Sequence, residues 1–136
     1  MDPFGILEVS ASALNAQKQR MDAIASNMAN ARSTKSADGG PYKKREVVFS
    51  TMPVQAGQEE LQGVQVSDVV KEDAFQKVYD PSNPDADKKG FVTMPDINVV
   101  EEMVNMMTAY RAYEASVSTF NVSKAMLGKA LELGGQ

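Results

Sequence analysis

Cysteine, histidine and tryptophan are all missing from this chain of 136 residues. Without cysteine there is no disulfide, no thiol nucleophile and no thiolate metal site. Without histidine the commonest general base and the commonest zinc ligand are gone. An enzyme would have to work with Asp, Glu, Lys, Ser or Tyr. No apolar run approaches the ~20 residues of a membrane-spanning helix. The first residues lack the basic-then-apolar order of a secretory signal peptide, so composition by itself points to the cytosol. Positive charge is also short. The net charge is −4, which makes nucleic acid an unattractive partner. Residues 1–50 carry seven basic and five acidic groups, whereas residues 51–100 carry four and nine. The middle of the chain is therefore acidic and solvated.

What the chain does contain is two helical seams, one at each end. Leu7, Leu14, Met21 and Met28 recur every seven residues, with Ile24 and several alanines beside them. Asp2 and Pro3 suit the N-cap and first helical position, and the pattern predicts a helix from about Pro3 to Asn30 or Arg32. The seam is narrow and rich in Ala and Met, which suits helix-on-helix packing. The C-terminal seam is longer. Val99, Met103, Met106, Tyr110 and Tyr113 follow a 3-4 spacing, and Val117, Phe120, Leu127 and Leu131 continue it past Lys124. Such a heptad seam has to be covered by another helix. Asn98 with Glu101 forms a capping box, and Gly134-Gly135 ends the helix.

Between the seams, Ser33 to Pro41 is loop chemistry. Lys43 to Ser50 is expected as a strand, Met52 to Gly63 as a polar mobile stretch, and Val64 to Val70 as a second, half-buried strand. Phe75 to Tyr79 is a third candidate and Asp80 to Gly90 a loop. The expected fold is mainly α with a small β region: two long terminal helices in an antiparallel coiled-coil-like pair, with short strands in the middle. Its divisions are 1–32, 33–97 and 98–136. A second helix of about 35 residues would be ~52 Å long, whereas a compact globule of this chain length is only ~36 Å across, from a radius of gyration of ~14 Å. A rod with the β region at one end is expected. Two helices cannot cover both seams, and Val100, Val104 and Met107 add to the surplus, so the sequence asks for self-association.

Several candidate sites are weaker than their bland alternatives. Asp85, Asp87, Gly90, Val92 and Asp96 fit part of a calcium loop, but Lys89 stands at a ligand position and an acidic turn is the better reading. Lys43-Lys44-Arg45 suits the solvated start of a strand better than a phosphate site. Tyr110 and Tyr113, with Arg111 and Glu114, read as packing and a surface ion pair. Asn27 and Asn30 close the first helix: either a buried amide fixes register there, or the helix end is simply capped. No cofactor and no metal site is expected.

At these residues the chain resembles a known family. Ala13-Leu14 through Gln17, followed by Arg20 to Asn30, is similar to the N-terminal signature of bacterial flagellar rod and hook proteins. Asn98 to Val104 with Tyr110 to Ala115 is similar to that family's C-terminal signature. Tyr79 to Asp87, Gly90-Phe91-Val92 and Met94-Pro95 narrow the likeness to proximal-rod members. The resemblance implies a structural subunit of the basal-body rod, a torque-transmitting drive shaft and export channel. It implies export through the flagellar type III apparatus without a cleaved signal, and assembly in the periplasm. Partners would be other copies of the chain and the rod proteins FlgB, FlgF, FlgG and FliE. The seam residues, together with Asn27 and Asn30, would form the assembly interface. A soluble cytoplasmic adaptor or export chaperone is the rival reading, and an enzyme ranks third for want of convergent polar groups.

Overall fold

The computed structural model describes residues 2–135. Helix α1 spans Pro3–Ala29 and helix α2 spans Val99–Gly134, so the two long terminal helices stand where the periodicity put them. Asp2 caps α1 by accepting the Phe4 N–H at 3.0 Å. Asn30 closes it, donating through Nδ2 to the Ser26 carbonyl at 2.9 Å. The Asn98 carboxamide oxygen accepts the N–H groups of Val100 and Glu101 at 3.0 and 3.3 Å, which starts α2. With 27 and 36 residues, the helices are about 40 and 54 Å long.

Asn27 near the end of α1 meets Glu102 near the start of α2, and the helices lie side by side, so the pair is antiparallel. The face that α2 turns inward differs from the expected seam. Met106, Tyr113, Phe120 and Leu127 are half-buried on it, but they alternate with Glu102, Ala109, Ser116 and Ser123. Val99, Met103, Tyr110 and Leu131 are exposed. Small side chains win the inner line because they let helix axes approach closely. Ala109 is fully buried, and Ala16 and Ala23 of α1 are buried too.

Strand β1 (Lys44–Ala56) pairs antiparallel with β2 (Glu59–Glu72) in one long hairpin. Met52 to Gly63 is thus not a mobile stretch but the hairpin's upper half. Its polar residues alternate with Val54, Ala56 and Leu61, and Val54 and Ala56 are buried. Gly57, with φ 66°, takes the first place of a two-residue turn, as a type II′ hairpin requires. Nor does the β region sit only at one end. The hairpin, ~44 Å long by its strand rise, runs along α1 from Asn27 at its base to Gly5 at its tip. At the tip, a Cβ on Gly5 would lie 2.4 Å from the Ala56 Cβ, so only glycine allows this approach. A register shift between Val48 and Phe49 twists the ribbon. Along β1, Val47 and Phe49 are half-buried, and past Ser50 the inward positions are Met52, Val54 and Ala56.

A second two-stranded sheet pairs β3 (Phe75–Tyr79) with β4 (Phe91–Pro95), a strand not anticipated from the sequence. Its loop is tied down by Thr34, which donates to Asp85 at 2.6 Å, and by Lys35 at 3.3 Å from the same carboxylate. Ala31, Tyr42 and Ile97 form a small apolar core where the loops meet the helix ends.

Candidate assembly surface and its internal clamp

The most enclosed polar cluster joins α1, β1 and α2. Asn27 is 1% exposed and Glu102 2%. The Asn27 oxygen accepts the Arg45 N–H at 2.8 Å and the Tyr42 hydroxyl at 2.9 Å. Its Nδ2 donates to the Arg45 carbonyl at 2.8 Å and to Glu102 Oε2 at 3.2 Å. All four hydrogen-bonding capacities of the amide are filled. Since the Tyr42 hydrogen goes to Asn27, Ser26 is the donor to Tyr42, at 2.9 Å. Lys44 Nζ lies 3.5 Å from Glu102 Oε1, and the Arg45 guanidinium stands 5.8 Å from the Tyr42 ring centre.

This settles the two asparagines differently. Asn27 is the buried amide, and Asn30 is the cap. Both are committed within the chain, as is Lys44, which pairs with Glu102 rather than facing solvent. Tyr42 and Glu102 were not foreseen. One signal existed for Glu102, an acid inside the run Val99 to Val104 on the side away from Val100 and Val104. Asp85 and Asp87 also have internal work. The Thr34 hydroxyl, then Lys35, lowers the Asp85 pKa. The Phe91 N–H leads in lowering that of Asp87. Glu114, one turn from Tyr110, hydrogen-bonds its hydroxyl and raises its pKa.

The outer surface of α2 has the opposite character. Val100 is 69% exposed and Leu133 76%, with Met103, Val104, Met107, Val122 and Met126 all at least half exposed. By contrast, beyond the exposed Phe4 of its first turn, the solvent face of α1 carries Glu8, Asn15, Lys18 and Asp22 among alanines. Leu7, Leu14, Met21 and Met28 are half-buried beside α2 and the hairpin, and Ile24 is buried. Counting back along α1 and forward along α2 from the Asn27–Glu102 contact, Pro3 lies level with Met126. The last turns of α2 therefore project beyond α1, and every described residue after Leu127 is exposed. No helix of the described residues is long and apolar enough to cross a membrane.

The two helices, with Asn27 on one and Glu102 on the other, fall largely within stretches that known families share. A family model described as flagella basal body rod protein matches residues 7–34. One for the C-terminal part of flagellar basal body rod FlgEFG proteins matches residues 88–133. The class is therefore that of the flagellar rod proteins, each model falling largely on one terminal helix. Relatives over the whole length narrow it. The chain is 46% identical over 132 residues to the flagellar basal-body rod protein FlgC of Escherichia coli O6:H1, covering 96% of this chain and 97% of that one. It is 38% identical to the FlgC of Bacillus subtilis strain 168, with 98% and 99% covered. To that of Borreliella burgdorferi it is 37% identical, with 98% of each covered. The chain belongs to the FlgC family of flagellar basal-body rod proteins. Its role is that of a structural subunit of the rod, and its place is the basal body. These relatives give the reading as a cytoplasmic adaptor or export chaperone no support.

Proposed function

We propose that this chain builds the proximal part of the rod by burying the outer face of α2 against neighbouring subunits. The observation that carries this is the division of α2: Ala109 and Ser123 are buried on the inward face beside half-buried Met106, Tyr113, Phe120 and Leu127, while Val100, Met103, Val104, Met107, Val122, Met126 and Leu133 face outward. Exposing so many costs solubility unless a neighbour covers them. The assembly interface is accordingly drawn from Val99, Met103, Tyr110 and Leu131, together with the flank of half-buried Leu7, Leu14, Met21, Met28 and Val117. The partners are further copies and the related rod proteins FlgB, FlgF, FlgG and FliE. The chain reaches them through the flagellar type III export apparatus and assembles in the periplasm, where the finished rod carries torque and encloses the export channel. Helices packed side by side suit torque transmission, since close-packed interiors deform little.

The test is a Met103→Asp variant supplied in place of the wild-type chain. Met103 is exposed, so the subunit should still fold. The expected result is normal synthesis with loss of swimming, and absence of the chain from purified basal bodies. Swimming cells with the variant in their basal bodies would overturn the assignment. Val117→Asp is a less clean probe, because Val117 is half-buried.

A further inference from the structure

The sulfur of this chain is all in methionine: nine Met residues and no cysteine. Among the described residues their exposure divides them in two. Met103, Met107 and Met126 are 50%, 57% and 63% exposed, whereas Met21, Met28, Met52, Met94 and Met106 are half-buried. All three open thioethers therefore lie on α2. Met103 and Met107 stand one turn apart beside Val100 and Val104. Met126 shares an apolar patch with Val122, Ala130 and Leu133, where α1 ends. Both apolar blocks of the outer surface thus carry a thioether open to solvent. Unwinding of α2 in the free chain would leave these sulfurs equally open, so their access does not depend on a formed helix.

An accessible thioether is a target for two-electron oxidants of the peroxide class, and no thiol in this chain competes for them. The sulfur lone pair takes one oxygen of hydrogen peroxide, the O–O bond breaks and water leaves. Sulfur is oxidised by two electrons and the peroxide is reduced by two. The product is a sulfoxide, polar and chiral where the thioether was apolar and pliable. Its oxygen accepts hydrogen bonds from water, and an apolar neighbour that covers it removes them without replacement.

We propose that Met103, Met107 and Met126 are oxidation sites that gate the entry of this chain into an assembly. Peroxide converts them to sulfoxides, and a chain so oxidised is refused at the subunit interface. This rests on the assembly reading above. A neighbour that covers α2 also shields the thioethers, so oxidation acts on subunits awaiting incorporation and spares finished ones. The gate is reversible. Two thiols return a sulfoxide to the thioether, leaving a disulfide and water, and a methionine sulfoxide reductase must supply them because the chain has no cysteine of its own.

The test is a pulse of hydrogen peroxide in cells that lack methionine sulfoxide reductases. The full-length chain is made with an isotope label, the peroxide is applied briefly and destroyed, and assembly then proceeds. Peptide mass spectrometry reads the sulfoxide fraction at each labelled methionine, in purified basal bodies and in chain left outside them. At the three sites the fraction should be lower in basal bodies by about tenfold or more. At Met94, in β4, it should be the same in both pools. Peroxide given instead to finished basal bodies should oxidise the three sites about tenfold more slowly than it does in the purified chain. Equal sulfoxide fractions in the two pools would overturn the proposal, as would equal rates. Failure of the assembly reading is read separately, from the swimming of Met103→Asp cells.

Discussion

Asn27 and Glu102 show how much one buried amide and one buried carboxylate can decide. Removing the Asn27 side chain would strand the Glu102 oxygen, the Tyr42 hydroxyl and both backbone groups of Arg45. Each unmet buried group costs about 1–3 kcal/mol, with some recovered by water. Asn27→Ala should therefore destabilise by about 2–4 kcal/mol in denaturant unfolding, whereas an exposed change such as Lys18→Ala should stay within about 0.5 kcal/mol. Glu46 gives a prediction of opposite sign. Its hydrogen bond to Glu72 comes first in raising its pKa, with burial and the Glu72 charge adding, against Lys44 and Arg20. A raised folded-state pKa means that the proton favours the fold. That contribution is full below the ordinary carboxylate value and is lost as pH rises through the raised one. At neutral pH two carboxylates then repel on an exposed surface. Glu46→Gln should stabilise by about 0.2–1 kcal/mol at pH 7, toward the lower end because the group is exposed. The gain should fade below about pH 4, and thermal melts across pH measure it.

The helices were legible because their evidence is local. Asp2-Pro3, Asn98 and Gly134 mark ends by chemistry that operates within a turn or two. The inner face of α2 was not legible, because hydrophobicity ranks Met103 and Tyr110 above Ser116 and Ser123. Which of two adjacent faces is inward depends on how near the partner helix comes, and that is set by the small residues of both helices together. Glu102 escaped for a related reason: its burial needs Asn27 and Lys44, some 75 and 58 positions away in sequence. The upper hairpin escaped because Gln55, Gln58, Glu59 and Glu60 look like a loop, while the weight rests on Val54 and Ala56 pressed against α1. That contact is testable at Gly5. Gly5→Val would drive a side chain into Ala56 and Leu61, an overpacking of about 1–3 kcal/mol. Hydrogen exchange should quicken at the hairpin tip, from Val54 to Leu61, and stay unchanged at Arg45, whose N–H is held by Asn27 at the far end.

The whole molecule is a layered rod in which α1 lies between the hairpin and α2, with its most enclosed packing at the loop end. Burial declines along α2 away from that end: Glu102 and Ala109 are at most 2% exposed, Ser123 is 8% exposed, and every described residue after Leu127 is exposed. Helical segments without tertiary cover are marginal in water, so opening free energies should fall along α2 in the same order. In the free chain, amides from Gly128 to Gly134 should exchange at rates close to those of an unstructured peptide. Those near Ala109 should be protected by the full stability of the fold. In purified basal bodies the tail should gain protection of at least a hundredfold, because a neighbour then covers Met126, Leu131 and Leu133. A hundredfold corresponds to about 2.7 kcal/mol, which burying two such side chains can supply at about 1.5–3 kcal/mol each. A tail that exchanges equally fast in basal bodies would mean that the projecting turns of α2 are not part of the subunit interface, and that the contact lies in the Val100 to Met107 block alone.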